Sequence, residues 1–546
     1  MKKNTFLFSF LVLILSSCMK GEKVDLIVHN AVIFTMNNES SIQEAMAIRN
    51  GKIIEVGPER QILNKYRADE TTDAKGKDIY PGFTDSHGHL LLYAQQKLSL
   101  DLVDSKSLNE VLVRCEKYKS LKGKDFIVGT GWDQSLWGTN DLPTNAELNK
   151  LFPSIPVCLY RIDGHAALVN DCLLKKANIT AKSFVDGGEV SLDQNGKPTG
   201  ILIDNAIGLV EASIPKFSDA DLSKAIIEIQ EELFQYGITG VHEAGIDYQH
   251  ISLFRNMVKN GSLKLDVYAM LRMSKENLNF AKKYGQFRYK NLSIQSFKVW
   301  ADGALGSRGA YLKKSYDDAA HSHGLLLTSV KELKDMAQFC IENDYQMNTH
   351  GIGDSANALV LEIYKDAFQK KKDHRFRIEH AQVIDPNDFK KFADYSVFPS
   401  VQPTHAVSDQ RWAINRIGAE RIKGAYAYKT LLSQFGMLAI GTDFPIERTN
   451  PFLTIHAAVQ RRTATDESIE GFYMNEAISL EEVLRGMTIW AAFASFQENK
   501  LGSLEKGKDA TFVIFERKVQ SQVKFQQNYS WMTFVKGLIV YDANEL

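Results

Sequence analysis

The sequence predicts an α/β chain: a TIM-type (β/α)8 barrel, with a small β-sandwich built from both chain ends and an insertion after the first barrel strand. Three observations predict it. Eight short β-rich runs recur between residues 79 and 445, with helical stretches between several of them. Strand-like segments stand at both ends of the chain and need a partner sheet. The first run ends at His87, and the second begins only at Gly237.

The N-terminus is not part of that fold. Lys2 and Lys3 precede an apolar run, Thr5 to Leu15 (TFLFSFLVLIL), too short to span a bilayer as a stable helix. It ends in Leu15-Ser16-Ser17-Cys18, which resembles a bacterial lipobox. Residues 1–18 are therefore expected to be a lipoprotein signal peptide with Cys18 lipidated. The expected location is outside the cytoplasm, periplasmic or at the cell surface, held to a membrane through that lipid alone.

From Val24 the chain reads VDLIVHNAVIFTM, then AMAIRNGKIIEVGP with a hairpin turn at Asn50-Gly51. KGKDATFVIFE (506–516) and WMTFVKGLIVYD (531–542) are its counterparts at the far end. Residues 22–78 and 500–546 are read as one discontinuous β-sandwich domain clasping a barrel over 79–499. The barrel runs are IYPGFTDSH (79–87), GITGVHEAG (237–245), LKLDVYAML (263–271), SIQSFKVWAD (293–302), YQMNTHGIG (345–353), RFRIEHAQ (375–382), SVFPSVQP (396–403) and MLAIGTDFP (437–445). They carry few alternating polar positions, as expected of strands covered on both faces. The segment 105–215 has strand-like pieces of its own (FIVGTGW, PVCLYRIDGH) and is read as an insertion lying over the active-site face.

Composition narrows the function. Apolar residues are 44% and charged residues 24%, ordinary for a globular protein. Lys+Arg number 65 against 66 Asp+Glu, a net charge of −1, so no global field favours nucleic acid. Cys115, Cys158, Cys172 and Cys340 have no metal-type spacing and read as isolated thiols; a Cys158–Cys172 disulfide is left open.

The chemistry starts at TDSHGHLLL (84–92). If this leaves a strand, His87 and His89 point the same way and can share one metal ion. The same spacing in His321-Ser322-His323 falls in a loop and is read as coincidence. Company distinguishes the first pair. Lys298 (FKVWADG), His350 (MNTHGIGD), His380 (RIEHAQ) and Asp443 (AIGTDFP) also stand at the C-terminal ends of runs, where barrel active sites are built.

Together PGFTDSHGH, GITGVHEAG, VWADGALGSR, HGIGDSA, RIEHAQ, GTDFP and LGSLEKGKDATFVIFE resemble the amidohydrolase superfamily. GWDQSLWG (131–138), DLPT (141–144) and RIDGHAALVN (161–170) resemble its YtcJ-like branch, which includes N-substituted formamide deformylase. The resemblance covers nearly the whole chain after the signal peptide. It implies one or two divalent metals, usually zinc, held by His87, His89, His350, His380 and Asp443. It also implies a Lys298 carboxylated to a carbamate that bridges two metals. A metal-bound hydroxide then attacks the substrate, with Asp443 as general base and acid. The implied reaction is hydrolysis of a carbon–nitrogen bond other than a peptide bond, in an amide or an N-formyl or N-acyl amine.

Other residues enter as candidates. Trp132, His165, Arg308 and His405 are candidate substrate contacts; Arg308 would anchor a substrate oxygen or carboxylate. His242 ends the second run and is read as structural. A small molecule is the expected partner, and a homodimer is left open. Two alternative readings stand beside this one. A free Lys298, paired with an acid such as Asp302, would leave a mononuclear site and favour a deaminase acting on a cyclic amidine. A non-catalytic surface-anchored binding protein would have lost ligands, and here all six positions are filled.

Overall fold

Eight strands pair side by side in chain order, each parallel to the next: β1 (Phe83–Gly88), β2 (Ile238–Ile246), β3 (Asp266–Arg272), β4 (Leu292–Trp300), β5 (Gln346–Gly351), β6 (Arg377–His380), β7 (Phe398–Val401) and β8 (Ala439–Ile440). The computed structural model describes residues 21–122, 125–139, 141–368, 373–464, 470–519 and 528–545. Cys18 and the expected signal peptide lie outside them.

Helices alternate with these strands and cover the sheet. Asp219–Gln235, before β2, shows why they form. Ser218 caps it by accepting from the Asp221 N–H, and Leu222, Ala225, Ile226, Ile229 and Leu233 fall on one buried stripe. Val330–Glu342, before β5, starts with a reciprocal capping box between Ser329 and Glu332. Strand residues such as Val267, Ala269, Leu271, Phe297, Val299 and Ile378 are buried among them, which explains the missing polar alternation.

The barrel closes between β8 and β1 through polar groups. The Asp443 N–H donates to the His87 carbonyl at 2.7 Å, and the His89 N–H to the Phe444 carbonyl at 2.8 Å. The buried Asp85 carboxylate accepts from the Thr442 N–H (3.0 Å), the Thr442 hydroxyl (2.6 Å) and the His87 N–H (3.1 Å). Gly441 permits this approach, because a Cβ there would lie 2.4 Å from the His87 nitrogen. Asp85→Ala is expected to leave three buried donors without partners and to cost about 3 kcal/mol of stability. A thermal unfolding midpoint equal to the parent's would contradict that.

The two chain ends form a pair of sheets. Glu22–His29, Ala45–Arg49, Lys52–Gly57 and Tyr66–Asp73 make one. Val32–Phe34, Ile42–Gln43, Asp78–Pro81, Phe512–Phe515, Ser530–Val535 and Leu538–Asp542 make the other. Leu26, Met46, Ile53, Ile79, Phe512 and Phe534 share one core between them. The run expected as one strand over 79–87 is thus divided. Asp78–Pro81 pairs with Phe512–Phe515, and only Phe83–Gly88 enters the barrel.

The segment between β1 and β2 builds a six-stranded sheet from Leu100–Asp101, Ile127–Trp132, Val157–Arg161, Ala166–Val169, Gly188–Leu192 and Pro198–Asp204. It begins at Leu100, ahead of the expected 105, because Leu100–Asp101 pairs with Gly129–Thr130. Cys115, Cys158, Cys172 and Cys340 are all free thiols, so Cys158 and Cys172 form no disulfide here. Among the described residues no helix is long and apolar enough to cross a membrane.

Candidate active site

The C-terminal ends of the strands bring four imidazoles, a lysine and a carboxylate together. His87 is the penultimate residue of β1, and His89 starts the helix Leu90–Leu98 that follows. Lys298 lies near the end of β4, His350 in β5 and His380 at the end of β6. Asp443 follows β8 with a φ of 64°, and His380 and Ala381 also hold positive φ, 72° and 43°. Non-glycine residues in that region cost free energy and cluster at functional sites.

The rings converge. His87 lies 5.4 Å from His89 and 4.9 Å from His380, centroid to centroid, and His380 lies 4.5 Å from His350. The Lys298 Nζ is 3.0 Å from the His87 Nε2, and Asp443 Oδ1 is 3.1 Å from the His89 Nε2.

Burial dominates the electrostatics. It pushes the Lys298 ammonium down to about 8, although Glu379 and Asp443 pull the other way. It also lowers His87, to about 4, with the nearby Lys298 acting in the same direction. Asp443 goes the opposite way. Burial works to raise it, but hydrogen bonds from His405 and His89 outweigh that and hold the carboxyl well below the usual range. Burial likewise lowers His89, His350 and His380, whereas for His405 it is outweighed by the hydrogen bonds to Asp443 and Glu447, which raise that imidazole well above the usual range.

These donors fit a divalent cation. The ligand atoms of His87, His89 and Asp443 lie within 4.8 Å of one another, and so do those of His380, His405 and Asp443. The buried His380 Nδ1 has no hydrogen-bond partner. Neutral imidazole with carboxylate is a zinc-type donor set. The His87 Nδ1 is engaged by Glu379 Oε2 at 2.5 Å, leaving Nε2 to face the cluster. The His350 Nε2 instead faces the Gly303 carbonyl at 3.4 Å.

The remaining sequence candidates divide. His165 reaches the site from the insertion, its ring 5.3 Å from His350 and its Nδ1 2.6 Å from Asp204 Oδ1. His405 lines the cleft and also sits directly against Asp443, Nε2 to Oδ2 at 3.1 Å. Trp132 does not line the cleft. It is buried in the core of the insertion and donates to the Leu159 carbonyl at 2.7 Å. Arg308 is also absent from the lining, because Asp318 takes its Nε and Nη2 at 3.2 and 3.0 Å. Asp302 does not pair with Lys298; it accepts from the N–H groups of Tyr311, Ile352 and Gly353. His242 is buried, its Nδ1 3.1 Å from an Arg377 nitrogen.

The site opens into a cleft of about 1430 Å3 between the barrel mouth and the insertion. Arg161, Asp163, Asp409, Trp412 and Glu447 line it alongside His165, His405 and Asp443. Arg161 is fixed by Gln134 (2.9 Å), Asp133 (2.9 Å) and Asp163. Sequence reasoning passed over Arg161, Glu379 and Glu447. Glu379 had a usable signal, since it directly precedes His380 in RIEHAQ. Glu447 lies beyond the strand-end motif and had none.

Comparison with known proteins agrees with this geometry. The model of the amidohydrolase family matches residues 70–541. The YtcJ protein of Bacillus subtilis (strain 168) is 30% identical, over 89% of this chain and 93% of its own. The N-substituted formamide deformylase of Arthrobacter pascens is 25% identical, over 90% of this chain and 93% of its own. Among solved structures, an uncharacterized metal-dependent hydrolase from Pyrococcus horikoshii OT3 superposes with a TM-score of 0.75 at 28% identity, covering 92% of this chain and 99% of that one. A family match over this much of the chain, with a strand-end cluster that fits a divalent cation, settles the family: this chain belongs to the amidohydrolase family, in its YtcJ-like branch, and is a metal-dependent hydrolase.

Proposed function

We propose that the chain hydrolyses a carbon–nitrogen bond outside peptides, in an amide or an N-formyl or N-acyl amine. One observation carries the reading. Lys298, fully buried, places its Nζ 3.0 Å from the His87 Nε2, and burial brings its amine to about 8. An appreciable neutral fraction is what carbon dioxide needs: the amine forms the new N–C bond, a proton leaves, and the product is a carbamate anion. That anion would join His87, His89, His380 and Asp443 in holding the metal. The name of the Arthrobacter relative supports the substrate class.

A bound divalent cation supplies a water acidic enough to ionise near neutral pH and polarises the scissile carbonyl. The chain's own part is positioning and proton transfer. Asp443 takes the proton of the attacking water and returns it to the leaving nitrogen, so the amine departs neutral. Glu379 holds the His87 ring in one orientation. The insertion, carrying His165 and Arg161 over the cleft, sets which acyl and amine groups fit.

The test is metal content per chain, by elemental analysis of protein beginning after Cys18 and purified without chelator, with Lys298→Ala beside it. Two metals in the parent and one or none in the variant are expected, with amine released from N-formyl or N-acyl amines by the parent. One metal in both proteins would remove the carbamate and direct the search to ring-amidine deamination.

A further inference from the structure

We propose that His405 is a metal ligand, completing with His380 and Asp443 a second triad beside that of His87, His89 and Asp443. The proposal rests on the chain being a metal-dependent hydrolase and adds a donor that the sequence reading had assigned to substrate.

Three observations carry it. First, the Asp443 carboxylate is split between two sets of imidazoles. Its Oδ1 faces His87 and His89, at 3.6 and 3.1 Å from their Nε2 atoms, and its Oδ2 faces the His405 Nε2 at 3.1 Å. The second set is closed by His380, whose ring lies 6.0 Å from that of His405 and whose Nδ1 is buried without a partner. Second, His405 is supported as metal-binding histidines are. Its far nitrogen, Nδ1, is 3.3 Å from Glu447 Oε1, and Glu447 is fixed in turn by the Ser408 hydroxyl at 2.6 Å. The Glu379–His87 pair on the other side of the site has the same form, a carboxylate on one nitrogen with the other aimed at Asp443. Third, His405 and not His350 belongs to a group whose donor atoms all lie within 4.8 Å of one another.

His405 can reach the cluster because of local backbone. It lies in the first turn of Pro403–Asp409, a helix that begins with proline directly after β7. That short connection holds the side chain over the barrel mouth while leaving it part of a rigid element. Ligation and proton transfer by Asp443 are compatible, because each carboxylate oxygen has two lone pairs.

The experiment is a cobalt(II) titration of the metal-free chain beginning after Cys18, read by visible absorption and equilibrium dialysis. Parent, His405→Ala, Glu447→Gln and, as a surface control, His321→Ala are compared, with circular dichroism confirming the fold of each. The parent is expected to take two cobalt ions, His405→Ala one, and His321→Ala two. Glu447→Gln keeps the ligand but loses its support, so its second cobalt should bind about 10–100-fold more weakly. If the parent binds a single cobalt, His405→Ala must still change its spectrum or weaken it. Parental stoichiometry, affinity and spectrum in His405→Ala would overturn the assignment and return His405 to substrate contact. Should His405→Ala fail to fold, the Glu447→Gln affinity decides alone, and a parental value overturns the proposal. A parent that binds no cobalt would instead count against the metal-dependent reading of the whole site.

Discussion

Asp443→Asn is expected to lower kcat by about 100- to 10,000-fold, the usual worth of a positioned general acid–base. The substitution keeps size and one oxygen but removes the charge that His89 and His405 face at 3.1 Å on either side. It also removes the anion shared by both candidate metal triads, so metal content should fall in the same preparation. The two effects separate experimentally. Turnover measured per bound metal isolates the proton-transfer loss, and turnover per chain contains both. A variant that keeps its metal and parental turnover would exclude Asp443 from the chemistry. One that regains parental turnover when metal is supplied in excess would reduce its role to ligation.

The largest effect on stability is expected at Arg377. This side chain and Glu379 are fully buried, with Nε 2.7 Å from Oε1. The guanidinium also donates to the Ser86 carbonyl at 2.7 Å and the Ser400 hydroxyl at 3.1 Å, tying β6 to β1 and β7. Arg377→Met would strand the Glu379 carboxylate, which Arg377 and His87 hold well below its usual range even though burial works to raise it. Loss of one partner of a buried pair costs about 3–5 kcal/mol, because the other charge is left uncompensated. Adding Glu379→Gln removes that charge, so the double variant should be more stable than Arg377→Met alone. Chemical denaturation of parent, both single variants and the double tests this. Additive losses would show that the two side chains stabilise the barrel independently. Glu379→Gln also loosens the orientation of His87, so its metal affinity should weaken even where its stability does not.

Much of the site was legible because strand ends are local features. A run such as MNTHGIGD or RIEHAQ gives both the strand and the polar group that leaves it, and a barrel brings every such end to one face. His87, His89, Lys298, His380 and Asp443 meet for that reason. Trp132 and Arg308 illustrate the limit. Each looks suited to substrate in its own motif, but one is fixed by the Leu159 carbonyl and the other by Asp318. Neither partner could be read from the motif, since a side chain's direction depends on what packs against it. The division of 79–87 has the same origin. The run carries a turn signal at Pro81-Gly82, but the pairing with Phe512–Phe515 is what takes Asp78–Pro81 out of the barrel sheet.

The sequence by itself determined the period of the barrel, the pairing of the two chain ends in one β layer system, the large insertion and the strand-end positions of the candidate donors. These follow from hydrophobic patterning and turn chemistry, which act over a few residues. Only the tertiary structure decided that Glu379 supports His87, that His405 stands between Asp443 and Glu447, and that His165 reaches the site from the insertion, backed by Asp204. Those contacts join residues far apart in the chain, and their partners are selected by barrel closure and domain packing, which no local pattern encodes.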